Sequence, residues 1–103
     1  MKELLLAPHL LTSACLGDKQ LTIRNGIRDF DPGDQLKLVD TNDPNKTLER
    51  EITQVLKFSK SALIPLEYIQ ADGFDDFSDM VNQMKDFYPD FNGTSPVTII
   101  CWE

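Results

Sequence analysis

With 103 residues the chain has room for one domain and little more. An apolar fraction of 41% and a charged fraction of 26% are ordinary for a globular fold, and no stretch approaches the roughly 20 apolar residues a bilayer-spanning helix needs. The net charge of −7 is unevenly spread: residues 1–60 hold nine acids and nine bases, residues 61–103 eight acids and only Lys85. Long nucleic acids are gripped by neutralising phosphates, so this balance argues against an extended RNA- or DNA-binding surface.

The N-terminus pairs Lys2 with Glu3 and then runs apolar from Leu4 to Leu11, broken by Pro8 and His9. The run is too short, and its start too weakly basic, for an export signal, so a cytoplasmic location is expected. Residues 8–17 read as a short helix with Gly17 as its C-cap. Gln20 to Arg24 alternates polar and apolar, the period of a half-buried strand with Thr22 and Arg24 on one face and Leu21 and Ile23 on the other. Asn25-Gly26 and Asp31-Pro32-Gly33-Asp34 are turn signals, and the second feeds a strand from Gln35 to Asp40. Asp34 braces that turn and has no chemical role.

After a polar loop at 41–45 comes a long strand, Leu48 to Lys57. Its alternation slips around Val55 and Leu56, which predicts a bulge there. Residues 65–71 read as a short helix with Pro65 in its first turn. From Asp75 to Tyr88 the apolar residues Phe77, Met80, Val81, Met84, Phe87 and Tyr88 follow helical spacing. Asp75 or Asp76 caps this helix and Pro89 ends it. Val97 to Trp102 is apolar on both faces and reads as a buried final strand, with Trp102 in the core. Strands outnumber helices without alternating regularly with them, which favours a small α+β fold built on a mixed barrel over a doubly wound sheet.

The chain has a single histidine, His9, and two cysteines, Cys15 and Cys101, near opposite ends. No metal-ligand spacing occurs, so neither a zinc site nor any other metal or cofactor is expected. Both cysteines read as reduced core residues.

Gly17, Lys19, Thr22, Arg24, Phe30, Gly33 and Asp34 together resemble the signature of ASCH domains. That signature is a short helix closed by glycine, a K-x-x-T-x-R strand, and a Gly-Asp turn into the next strand. The Gly73-Phe74 step, the acid-capped helix ending at Tyr88-Pro89 and the closing strand extend the resemblance over nearly the whole chain. It implies one ASCH-like domain over residues 1–103, a small PUA-like mixed β-barrel flanked by two or three helices.

Within that group the chain is similar to the compact bacterial N(4)-acetylcytidine amidohydrolases. The resemblance implies Lys19 as general base and Thr22 as nucleophile. The family's glutamate has no direct counterpart, and Asp72, one methylene shorter, is the nearest carboxylate. From the residues themselves, Arg24, on the Thr22 face, is the candidate cation beside the lysine and a candidate to hold the acyl oxygen in substrate binding. Arg28, Glu67 and Tyr68 are candidate substrate-binding residues at the pocket rim. The implied activity is removal of an acyl group from the exocyclic amine of a modified nucleoside. The alternatives are a non-catalytic RNA- or nucleotide-binding module, with at most weak RNA contact, and a protein-interaction role for the acidic second half. The expected partner is a small nucleoside or nucleotide, and the expected state a monomer.

On geometry, a lysine three residues from a threonine lies on the opposite face of a regular strand. Lys19 and Thr22 can meet only where the backbone bends at Gly17-Asp18.

Overall fold

The computed structural model describes residues 1–103. Five strands, β1 (Lys2–Leu6), β2 (Leu21–Asn25), β3 (Gln35–Asp40), β4 (Thr47–Phe58) and β5 (Val97–Trp102), form one sheet in the order β1-β3-β4-β5-β2. Three helices accompany it: α1 (Pro8–Cys15), α2 (Leu66–Ala71) and α3 (Phe77–Lys85). Only the β1–β3 pairing is parallel. The sheet curls into a half-barrel, and the two edge strands, β1 and β2, come together across its open side. There the Arg24 guanidinium of β2 donates to the Leu5 carbonyl of β1 at 2.7 Å. This small α+β architecture is the one expected from the sequence.

Strand β5 makes the arrangement possible, because it is buried on both faces. Val97 and Ile99 turn toward a core with Leu21, Ile23, Ile69, Met80 and Phe91 under α2 and α3. Ile100 and Trp102 turn toward a second core with Leu4, Leu11, Leu36, Leu38 and Ile52, which α1 closes. A strand buried on both faces reads as a continuous apolar run, as Val97–Trp102 does. The Trp102 indole N–H is buried there without an acceptor.

Strand β4 carries the predicted irregularity at a different place. Its register against β5 shifts between Ile52 and Gln54, about two residues before the expected slip. The extra residue, Thr53, lies where β4 leaves its pairing with β3 and turns along β5. A bulge raises local twist, which a curled sheet needs.

Three expectations are corrected. First, residues 2–6 form a strand. Its short alternation, with Leu4 and Leu6 buried and Leu5 exposed, is easily read as the start of an apolar run. Second, α3 stops at Lys85, before Pro89. Met80 and Met84 are buried as the spacing predicts, but Phe87 falls beyond the last turn and is 80% exposed. Third, the cysteines are free but are not core residues: Cys15 is exposed and Cys101 half-buried.

Leu38 has no exposed surface, so Leu38→Ala should cost about 2–5 kcal/mol of unfolding free energy in urea titration. Phe87→Ser should leave the midpoint within about 0.5 kcal/mol of wild type, as expected for an exposed site outside the core.

Candidate functional site

Two helix endings set the site. After α1, Gly17 takes φ +85°. Its N–H bonds to the Ala14 carbonyl, and the Asp18 N–H reaches back to Ser13. After α2, Gly73 takes φ +104°, its N–H bonding to Gln70 while the Phe74 N–H reaches Ile69. Both are Schellman endings, in which a residue without Cβ takes the left-handed turn and satisfies the last carbonyls of the helix. The first delivers Lys19 just ahead of β2, and the second delivers Asp72 opposite it. The bend at Gly17-Asp18 thus resolves the question of face, because Lys19 precedes the regular strand and is free of its alternation.

Lys19 and Asp72 form a buried ion pair, with side chains 6% and 7% exposed. Lys19 Nζ donates to Asp72 Oδ1. The other carboxylate oxygen accepts the Ile23 backbone N–H at 3.1 Å. Burial pushes the Asp72 carboxyl above its ordinary range; the Lys19 ammonium, the Ile23 N–H and the Arg24 charge pull in the other direction without cancelling it.

Thr22 is buried on β2, and its Oγ1 accepts from Arg24 Nε at 3.2 Å. The two residues share a strand face, as the alternation predicts, and Arg24 Nη2 closes the seam at Leu5. Burial, with Arg28 nearby, lowers the Arg24 pKa from its usual value. A guanidinium starts high enough that it stays charged regardless.

Lys19, Thr22, Arg24 and Asp72 all line one cavity of about 760 Å³. It lies in the seam of the half-barrel, and its volume falls in the range of small-molecule sites. Phe74, Phe87 and Tyr88 supply aromatic wall, and His9 stands at the α1 side. Lys19 and Thr22 therefore share a concavity, although Lys19 is bonded to Asp72 and Thr22 to Arg24. Arg28 and Glu67 do not line it. Arg28 Nε bonds the Asn25 carbonyl, and its N–H bonds Thr98 Oγ1 behind the strand. Glu67 is exposed in the first turn of α2. His9 and the three aromatic residues were not legible as site residues, because nothing local in the sequence shows that α1, the turn after α2 and the segment after α3 converge on β2. No group of three or more His, Cys, Asp or Glu is placed to hold a metal ion, and no helix is long and apolar enough to cross a membrane.

No protein-family model and no curated protein matches the sequence. Solved structures do match. An ASCH domain from Lactobacillus crispatus JV V101 aligns with a TM-score of 0.77 at 10% identity, over 99% of this chain and 77% of that one. An ASCH protein from Zymomonas mobilis gives 0.69 at 13% identity, over 99% of this chain and 66% of that one. A hypothetical protein of similar length gives 0.70 at 17% identity, covering 100% and 98% of the two chains. At such identities the likeness is one of fold: the chain has the ASCH, PUA-like architecture.

Breaking a buried pair strands one charge, so Lys19→Met alone should cost about 3–5 kcal/mol. Adding Asp72→Asn removes the stranded charge and keeps an acceptor for the Ile23 N–H. In urea unfolding the double variant should therefore be more stable than Lys19→Met, and the two substitutions strongly non-additive.

Proposed function

We propose that the protein is a hydrolase that removes an acyl group from the exocyclic amine of a modified nucleoside such as N(4)-acetylcytidine, with Thr22 as nucleophile. The supporting observation is the convergence of a hydroxyl, an amine, a carboxyl and a guanidinium on one nucleoside-sized cavity, two of them joined as a buried pair.

The chemistry starts from that pair. The mechanism requires the tautomer in which the shared proton sits on Asp72 and Lys19 is a neutral amine, and burial favours protonated Asp72 by pushing its carboxyl up. In that form Lys19 takes the Thr22 proton as Oγ1 attacks the acyl carbon. Arg24, already bonded to Thr22 Oγ1, is placed to stabilise the developing negative charge. The tetrahedral intermediate collapses, the C–N bond breaks, and the departing nitrogen takes a proton from Asp72 or from the Lys19 ammonium. Water then attacks the acyl-threonine ester and gives a proton to the pair. The ester C–O bond breaks, the carboxylic acid leaves, and Thr22 recovers its hydrogen. One amide and one water are consumed; one amine and one acid are formed.

The test is incubation of the purified protein with N(4)-acetylcytidine and chromatography for cytidine. Turnover is expected, falling by about 10²–10⁴-fold in Lys19→Ala and Thr22→Ala. Absence of turnover in the wild type, or undiminished turnover in Lys19→Ala, would refute the reading. The pH profile adds a signed expectation. A second proton on the pair leaves Lys19 charged beside a neutral Asp72 and removes the base. Activity should therefore fall on acidification, through a midpoint above the ordinary aspartate value of about 3.9. In Asp72→Asn no carboxyl can hold the shared proton, so that acidic limb should move to higher pH in whatever activity remains.

A further inference from the structure

Strand β2 is a sheet edge, and its unpaired backbone faces the cavity. Its pairing with β5 alternates. Trp102 N–H bonds the Gln20 carbonyl and Gly26 N–H bonds the Pro96 carbonyl, so the even-numbered residues of β2 direct their backbone groups to β5. Leu21, Ile23 and Asn25 direct theirs outward, into the seam. Two of those outward groups are occupied: Ile23 N–H by Asp72, and the Asn25 carbonyl by Arg28 Nε. Between them remain the Ile23 carbonyl and the Asn25 N–H. Both residues line the cavity, and the two groups form a widely spaced acceptor–donor pair pointing the same way.

Resting on the deacylation reading, we infer that this pair recognises the base: the Ile23 carbonyl accepts the N–H of the acylated exocyclic amine, and the Asn25 N–H donates to the ring carbonyl of a cytosine-type pyrimidine. An acylated cytosine carries N4–H and O2 on one edge, flanking N3, in the complementary order of donor and acceptor. An exposed strand edge otherwise recruits another strand; here the complement is the edge of a flat ring. Phe74, Phe87 and Tyr88 in the cavity wall supply apolar contact for its faces.

The order of groups along the edge fixes the orientation. From one end it runs Lys19–Asp72 at Ile23 N–H, then the Ile23 carbonyl, then Asn25 N–H. With N4–H on Ile23 and O2 on Asn25, the acyl substituent on N4 projects toward Lys19 and Asp72, where the reacting groups are. The glycosidic nitrogen projects past Asn25. A second hollow, about 350 Å³, begins there: it shares Asn25, Phe87 and Tyr88 with the first and adds Asp90 and Ser95. Its one charged lining residue is acidic, which suits ribose hydroxyls and disfavours a 5′-phosphate.

The test separates this inference from the reading beneath it. Thr22→Ala, labelled with ¹⁵N and titrated with N(4)-acetylcytidine, should show the Asn25 amide proton moving downfield and its exchange slowing about tenfold or more. Asn25→Pro deletes that N–H where no ladder bond uses it, a position that tolerates proline. Asn25→Ala keeps it. Asn25→Pro should raise KM for N(4)-acetylcytidine about tenfold over Asn25→Ala, with unchanged circular dichroism. If the wild type neither binds nor turns over the nucleoside, the deacylation reading fails and takes this inference with it. If turnover is present but the Asn25 amide is unmoved, or Asn25→Pro matches Asn25→Ala, this inference alone is overturned.

Discussion

The structure depends on how the open side of a curled sheet is closed. Five strands are too few here to complete a barrel by backbone pairing, so β1 and β2 meet as edges. Side chains do what a sixth strand would do. Arg24 reaches the Leu5 carbonyl, and Asp72 takes the Ile23 N–H while holding Lys19. A closure made of side chains leaves space between them, and that space is the cavity. The same groups that satisfy the edges are therefore the ones exposed to a ligand.

Such a closure carries an energetic tension. Two charges withdrawn from water lose several kcal/mol each, and their attraction returns that only where geometry and further hydrogen bonds are good. Here Asp72 has one oxygen on Lys19 and the other on a backbone N–H, so the carboxylate is well provided for. Lys19 is positioned by the turn at Gly17, not by a strand, and Asp72 by the turn at Gly73. Rigid helix endings bring the pair together without ordering long flexible loops. Arg24 takes part in both jobs, bridging the seam with one nitrogen and touching Thr22 with another. Loss of Arg24 would thus open the seam and remove a cation from the hydroxyl together.

Much of this was readable in the sequence because local signals agreed with the global fold. The alternation from Gln20 to Arg24 placed Thr22 and Arg24 on one face, and Gly17 marked the helix end that brings Lys19 in. Val97–Trp102 announced its double burial by composition. What stayed hidden depended on long-range geometry. The resemblance put Asp72 in one site with Lys19, but their direct pairing is a contact across 53 positions, fixed by how α2 packs under β2, and spacing carries no trace of it. Strand β1 was hidden for a different reason. It is five residues long, runs without a break of composition into α1, and owes its state to a parallel partner, β3. The end of α3 at Lys85 shows the limit of periodicity, since Phe87 continues the helical spacing in sequence and leaves it in space.

Trp102 is the sole tryptophan, and it sits 3% exposed with its indole N–H unmatched. An excited indole relaxes by reorienting polar neighbours, and here its surroundings are Leu4, Leu36, Ile52 and their companions. Its fluorescence should thus lie far to the blue and redden only when water enters the core that α1 covers. The chain therefore contains its own optical probe of the half-barrel interior, on the strand whose opposite face supports α2 and α3.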